Sequence, residues 1–151
     1  MTPPTWDAFA EALTRELAGL ADGVLLVIRS KDRSWDFAQF AQDGRELRAE
    51  VSGERVNLPP LARQDTPEGR RILQSHGWQP PDEDAGFLWH RVLPRPAREA
   101  ELRAVAAGVV AALRDVNGIA GPHRLQYDAW NQQAGNRHWP VDLPGVEYQP
   151  T

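Results

Sequence analysis

The side chains best suited to chemistry are four histidines, which lie far apart at His76, His90, His123 and His138. No two of them have the i, i+4 spacing that places two imidazoles on one helix face to bind zinc. His76 precedes Gly77, where it would complement the negative end of a helix. The absence of cysteine excludes disulfides, thiolate catalysis and cysteine-based metal sites. These residues therefore predict neither a catalytic nor a metal site.

A second candidate is the acidic run Asp82-Glu83-Asp84, which is followed by Gly86 and has the composition of a calcium loop. It lacks the further acidic position and the distant bidentate glutamate that an EF-hand requires, so we interpret it as a solvated loop. The serines lie in no nucleophile elbow, and no glycine-rich run is suited to hold a phosphate. The sequence thus predicts no cofactor and no enzymatic activity.

Composition narrows the class of protein. With 151 residues, of which 41% are hydrophobic and 25% charged, the chain is long enough for one globular domain with a real core. A net charge of -4 disfavours nucleic acid and anionic membranes as partners. The first residues lack the pattern of a signal peptide, and no apolar run is long enough to cross a bilayer. We therefore expect a soluble cytoplasmic protein.

The first half of the chain predicts one helix and a meander of strands. Apolar residues from Trp6 to Leu20 recur at three- and four-residue steps, with Thr5 as N-cap and Gly23 as the stop. Three strands follow, over residues 24–28, 34–41 and 46–51. The first is continuously apolar, as in a strand buried on both faces. Asp43-Gly44 joins the other two and is a strong hairpin signal.

The second half adds helices to this meander. Thr66-Pro67 predicts the start of a second helix that ends near His76, after a connection holding at most a short strand near 55–58. A strand over residues 86–92 and a long helix over residues 97–116 follow. Strands that pair locally, with helices before, between and after them, predict an α+β fold for residues 1–120. Residues 121–151 show neither helical nor strand periodicity and predict an irregular tail packed on the same domain.

Aromatic residues are the main candidates for contacts with a partner. On the predicted strands Trp35 and Phe37 face away from Phe40, so both faces of the sheet carry apolar groups. Either helices cover both faces and these residues fill the core, or one face remains open to a partner. The candidates for peptide or partner binding are Trp35, Phe37, Phe40, Trp89 and Trp130.

The predicted tail also has two interpretations. Trp130 and Trp139 argue against plain disorder. With Tyr127, Asn131 and Asn136, Trp130 could form a recognition surface or a clasp over the domain. We favour the clasp, because asparagines commonly close turns by bonding the nearby backbone.

An ordered set of motifs resembles a known family. The set comprises Trp6-x-x-Phe9, Phe37-Ala38-Gln39-Phe40, Leu47-x-Ala49-Glu50, Gly77-Trp78-x-Pro80-Pro81 and Tyr127-x-Ala129-Trp130-Asn131 with Gly135-Asn136. In this order the motifs resemble the TY-Chap family of peptide-binding chaperones, which are related to CesT-like type III secretion chaperones and to YbjN. The resemblance is closest to the chaperone 3 branch.

The resemblance implies a CesT/YbjN-like α+β fold with a bent antiparallel sheet flanked by helices. It also implies a non-enzymatic chaperone or adaptor, commonly a homodimer, that holds an extended segment of a client protein. Such a segment would bind an apolar groove or a sheet edge. The acidic charge keeps a second hypothesis open, in which the protein is a stoichiometric inhibitor or immunity-type protein that binds one folded partner.

Overall fold

The computed structural model describes residues 3–56, 62–63, 65–82 and 88–151. The α-helices are α1 (Trp6–Ala18), α2 (Pro67–Ser75) and α3 (Glu99–Val110). The strands are β1 (Val24–Ser30), β2 (Phe37–Gln42), β3 (Glu46–Val51), β4 (Arg55–Val56), β5 (Ala62–Arg63), β6 (Trp89–Pro94), β7 (Leu125–Asn131), β8 (Arg137–His138) and β9 (Glu147–Tyr148). This arrangement confirms the predicted α+β fold with a bent antiparallel sheet.

Some predictions fall partly outside the described residues. The predicted short strand near 55–58 is present as β4, which pairs with β5, but residues 57–58 lie outside the described part. The same holds for residues 86–87 of the predicted fourth strand, and for residues 83–84 of the acidic run. Within the described part, β6 begins at Trp89 and extends to Pro94, two residues beyond the predicted end.

Helix α1 begins where its capping signal predicts. Thr5 is extended, and its Oγ1 accepts a hydrogen bond from the backbone N–H of Ala8 at 3.1 Å. This bond satisfies one of the free N–H groups at the start of the helix. The helix ends at Gly19, earlier than the predicted stop at Gly23. Gly23 has a φ of 92° and instead forms the turn into β1.

The main sheet runs in the order β6-β3-β2-β1-β7-β8, and β9 also pairs with β7. The predicted meander is confirmed by the antiparallel pairing of β1 with β2 and of β2 with β3. Asp43 stabilises the predicted hairpin, because its Oδ1 accepts bonds from the N–H groups of Arg45 at 2.7 Å and Glu46 at 2.8 Å.

One face of this sheet, which we call the inner face, packs against the helices. Its side chains form one buried cluster with apolar residues of α1, α2 and α3. The sheet residues in the cluster are Val24, Leu26, Ile28, Ala38, Phe40, Leu47, Ala49, Val51, Trp89, Leu93, Leu125, Tyr127 and Ala129. Leu25 and Val27 are only half-buried, so the run Val24–Ile28 is fully buried on one face only, which corrects the predicted burial on both. A continuous apolar run does not reveal which of its faces is covered.

Helix α2 and the turn after it place Trp78 in the core. Thr66 caps the helix and Pro67 occupies its first turn, as predicted. Gly77 has a φ of 84° and ends the helix. The indole of Trp78 is 1% exposed and donates from Nε1 to the carbonyl of Gly108 in α3 at 3.1 Å. This contact joins the two helices inside the core.

The predicted long helix changes its geometry along its length. Its regular part, α3, is followed directly by a π-helical turn over Ala111–Val116. The N–H of Asn117 donates to the carbonyl of Ala112 at 2.9 Å, and Gly118, with a φ of 72°, ends the helix as predicted. A π-helical turn accommodates one extra residue in a helix, and the spacing of apolar residues in the sequence does not reveal it.

Residues 125–131 correct the predicted irregular tail, because they form strand β7. This strand pairs with β1 along its whole length, from Val24 opposite Asn131 to Ser30 opposite Leu125. The burial of alternate residues Leu125, Tyr127 and Ala129 shows the period of a strand. The remainder of the tail contributes only the short strands β8 and β9 to the sheet.

Candidate functional site

The face of the sheet opposite the helices, which we call the outer face, carries an uncovered group of apolar side chains. We define the apolar strip as Leu25 and Val27 of β1, Phe37 and Ala41 of β2, and Trp130 of β7. Each of these residues is half-buried, and none of the five belongs to the buried cluster that the described residues form. The strip is therefore accessible apolar surface, the kind of surface that marks a binding site.

The pairing of the strands brings the strip together. Leu25 lies opposite Ala41 on one side and opposite Trp130 on the other. Arg29, two residues beyond Val27, lies opposite Phe37. Side chains alternate between faces along each strand, so these positions share the outer face. The distance from β2 across β1 to β7 is two strand spacings, about 10 Å.

A buried polar network fixes Phe37 at the start of β2. The N–H of Phe37 donates to Ser52 Oγ at 3.1 Å. Next to it, Asp36 is only 3% exposed; it pairs with Arg33 Nε at 2.9 Å and accepts from Asn117 Nδ2 at 3.3 Å. Burial raises the pKa of Asp36, and the Arg33 guanidinium opposes this shift. The network ties the end of the π-helical turn to the strand that carries Phe37.

A row of polar side chains borders the strip. Gln39 Nε2 donates to Glu50 Oε1 at 2.9 Å, and Glu50 Oε2 lies 3.5 Å from Arg48 Nε. Toward the Asp43 hairpin the surface forms a depression of about 340 Å³, whose lining includes Leu25, Ala41, Arg48 and Gln133. Because these polar groups bond one another, we expect a partner to gain its affinity mainly from the apolar strip.

The tail closes the sheet edge at β7. Strands β8 and β9 both pair with β7. Between them, the N–H of Trp139 donates to the carbonyl of Ala129 at 3.0 Å, and the N–H of Gln149 donates to the carbonyl of Tyr127 at 2.8 Å. These bonds occupy the backbone groups that an incoming strand would need.

Among the described residues, the opposite edge, at β6, leaves only a short stretch of backbone without a strand partner. Gln79 and His90 exchange two backbone hydrogen bonds, of 2.8 and 3.2 Å. Pro94 has no N–H to donate. Val92 lies between these positions, and its side chain is 41% exposed. The described part of the β6 edge therefore leaves little backbone to which a client strand could pair.

The structure separates the five residues that the sequence suggested as partner contacts. Phe37 and Trp130 lie in the apolar strip, and Trp35 is half-buried in the turn before β2. Phe40 and Trp89 are 2% and 0% exposed and belong to the core. This placement corrects Phe40 and Trp89 from candidate contacts to core residues, because both alternate onto the inner face that the helices cover.

Sequence reasoning missed three members of the strip, which are Leu25, Val27 and Ala41. Leu25 and Val27 lie in the continuous run Val24–Ile28, where apolar residues on the two faces look alike. Ala41 is small, so its type carries little information about partners. The sequence signal that separates the two faces of β2 is the alternation that places Phe37 and Phe40 on opposite sides.

The strip consists of aliphatic and aromatic side chains, so it can bind a partner but cannot transfer protons. Of the histidines, His90 is half-buried, with Nδ1 at 3.2 Å from the carbonyl of Leu88, and His138 packs against Tyr148 at 4.1 Å between ring centroids. The described residues contain no group of three or more histidines and carboxylates arranged to hold a metal ion.

No helix in the described part of the chain has the length and apolar character needed to span a membrane. An α+β domain with a bent antiparallel sheet is consistent with the CesT/YbjN type of chaperone. The chain belongs to the TY-Chap3 family, since the model described as "T3SS (YopN, CesT) and YbjN peptide-binding chaperone 3" matches residues 2–131. This match confirms the expected family and ends at the last residue of β7. Comparisons with curated proteins and with solved structures found no match.

Proposed function

We propose that this protein is a non-enzymatic chaperone or adaptor that holds an extended segment of a client protein on the apolar strip. The observation that carries the proposal is the uncovered strip itself, in which Leu25, Ala41 and Trp130 meet across three strands. An extended segment points alternate side chains to opposite sides. It can therefore place apolar side chains on the strip while its polar side chains stay in water.

The structure favours binding on the face over strand addition at an edge. The tail occupies the edge at β7, and the described part of the β6 edge leaves little backbone free. Binding through a small apolar surface is reversible, and we expect dissociation constants near the micromolar range, equivalent to roughly 8 kcal/mol. Reversible binding suits a chaperone that must release its client.

The test compares two substitutions that make the same chemical change. Ala41→Glu places a carboxylate and extra bulk in the apolar strip, whereas Ala107→Glu makes the same change on the exposed side of α3. Binding to an array of random 12-residue peptides would identify ligands, and fluorescence anisotropy would measure their affinities. We expect Ala41→Glu to weaken binding by roughly tenfold or more, because a charge would be desolvated in the contact. We expect Ala107→Glu to bind like the wild type.

Equal affinities for Ala41→Glu and the wild type would contradict binding on the strip. Tight capture of one folded, basic protein, with no binding to peptides, would instead support the inhibitor or immunity-type hypothesis.

We further propose that the protein works in the cytoplasm as a homodimer that leaves the strip free. Sedimentation equilibrium would measure the oligomeric state, and cell fractionation would measure the location. A monomer at micromolar concentration would contradict the homodimer. Recovery of the protein outside the cytoplasm would contradict the cytoplasmic location.

A further inference from the structure

A second concavity, which we call the tail pocket, lies where β8 and β9 meet β7. Its volume is about 340 Å³, and its lining includes Asp128, Trp130, Asn136, His138 and Tyr148. Trp130 also belongs to the apolar strip, so the tail pocket adjoins the strip. A segment bound on the strip can therefore reach the pocket.

Asp128 supplies a buried carboxylate to this pocket. It is 8% exposed, and its Oδ2 accepts bonds from the N–H of Thr151 at 3.0 Å and from Thr151 Oγ1 at 2.7 Å. The described residues donate no hydrogen bond to its Oδ1 and form no ion pair with it. The buried cation Arg29, on the neighbouring strand, donates to the carbonyl of Gln149 at 3.0 Å instead. Asp128 Oδ1 is not enclosed by the described residues, so it can accept from a ligand in the pocket, and a carboxylate binds cationic donors most strongly.

Aromatic rings form other walls of the tail pocket. The rings of His138 and Tyr148 are 4.1 Å apart between centroids and tilted by 45°. Tyr148 is 44% exposed, and Trp130 lies opposite His138 on the paired strand. The faces of indole and phenol rings attract cations, and a nearby carboxylate strengthens that attraction.

We propose that the tail pocket binds the cationic side chain of an arginine or lysine in the client segment. The identity of the ligand as a client segment rests on the proposed function, whereas the chemistry of the pocket does not. The net charge of -4 adds a long-range preference for a basic segment. The strip would then select apolar residues, and the pocket would select a charge beside them.

The strand order also predicts the spacing between these residues in the client. Leu25, Trp130 and His138 occupy neighbouring strands in that order. With strands about 4.8 Å apart, the pocket lies roughly 10 Å from Leu25. An extended chain advances about 3.3 Å per residue. Since same-side residues of an extended chain are an even number of positions apart, the basic residue is expected two or four positions from the apolar residue that contacts Leu25.

The first test uses a ligand too small to depend on the strip. N-acetyl-arginine N-methylamide would be titrated while the indole N–H resonance of Trp130 is followed by NMR, with the neutral citrulline compound as its isostere. We expect a saturable shift with the arginine compound only. Asp128→Asn keeps the shape of the side chain and should abolish that shift, whereas Asp142→Asn, which removes an exposed carboxylate outside the pocket lining, should keep it. Equal responses to the two compounds would overturn the proposal.

The second test measures selectivity in a peptide. The probe is acetyl-Thr-Leu-Thr-Xaa-Thr-Xaa-Thr-amide, with arginine or the apolar norleucine at both Xaa positions, which lie two and four residues after the leucine. We expect the wild type to bind the arginine peptide roughly tenfold more tightly, and Tyr148→Ala and Asp128→Asn to lose this preference. Equal binding of both peptides by the wild type would overturn the pocket assignment and leave the proposed function standing. Binding of the small arginine compound alone would support the pocket and count against the proposed function.

Discussion

Asp36 is a buried carboxylate beside the apolar strip, and its environment favours the neutral form. Burial raises its pKa, although Arg33 at 2.9 Å favours the charged form. The folded protein therefore binds this proton more tightly than the unfolded chain does. The stability that the group contributes is fully present below its ordinary pKa of 3.8 in the unfolded chain, and is lost as the pH rises through the folded pKa.

Substitution of Asp36 should change how stability depends on pH. Asp36→Asn removes this titration. The free energy of unfolding of the variant minus that of the wild type should therefore increase with pH. Urea denaturation from about pH 3 to pH 7 would measure this difference.

Asp43→Asn provides a control of opposite sign. The backbone N–H groups of Arg45 and Glu46 lower the pKa of Asp43, so its contribution to stability is present above the unfolded pKa and is lost as the pH falls. The relative stability of Asp43→Asn should therefore decrease as the pH rises. If the stability differences of both variants changed with pH in the same direction, the assignment of Asp36 to a desolvated site would be contradicted.

The contact between α2 and α3 depends on a residue that has no side chain. A Cβ atom on Gly108 would lie 3.0 Å from Nε1 of Trp78 and 3.4 Å from its Cε2. The same indole donates to the carbonyl of Gly108. The ring approaches the helix this closely only because residue 108 is glycine.

Gly108→Ala should consequently destabilise the protein. In an unhindered helix this substitution stabilises by about 1 kcal/mol, but here the added methyl group displaces the indole, and we expect a net loss of about 1–2 kcal/mol. In a Trp78→Phe background the smaller ring leaves space, so the same substitution should cost less. A double-mutant cycle from denaturant unfolding measures this coupling, and additive effects of the two substitutions would contradict it.

Local signals predicted the elements that depend on neighbouring residues. Thr5, Thr66-Pro67 and Asp43-Gly44 each act within one turn, and the structure confirms the helix starts and the hairpin that they indicate. Strand β7 was missed because its partner β1 lies at the other end of the sequence, where Leu26 pairs with Ala129. The strand is defined by that distant pairing more than by its own composition.

The same distinction limits prediction of the candidate site. Alternation along β2 separates Phe37 from Phe40 in the sequence, but only packing decides which of the two the helices cover. Phe40 and Trp89 are core residues that the sequence does not separate from contacts, because aromatic type alone does not distinguish core from surface. The tail pocket was not predicted, since Trp130, His138 and Tyr148 meet only when three strands pair.

At the scale of the whole molecule, residues 132–151 complete the domain. Leu143 is 4% exposed and belongs to the buried cluster. Trp139, Val141 and Val146 are partly buried and pack against that cluster. The last part, residues 147–151, is exposed; it pairs with β7 and contacts the side chains of Arg29, Lys31 and His138. The first part of the tail therefore contributes to the core, whereas the last part mainly covers an edge.

Deletion of residues 147–151 should leave the fold intact and open the edge at β7. Because exposed strand edges pair with other chains, we expect self-association beyond that of the full-length protein, increasing with concentration. Deletion of residues 132–151 should also lower the melting temperature, since it removes Leu143 from the core. Sedimentation velocity and thermal unfolding would measure these effects. Unchanged association of the shorter deletion would contradict the role of residues 147–151 as an edge cover.

The pairing of β1 with β7 also sets a time order during synthesis. Strand β1 leaves the ribosome early, but β7, its neighbour in the sheet, follows about a hundred codons later. At translation rates of about 5–20 residues per second, that edge of β1 waits roughly 5–20 seconds for its partner. Slow codons between residues 31 and 124 would lengthen this wait. During this time the nascent chain exposes one unpaired edge of β1, to which other chains could pair.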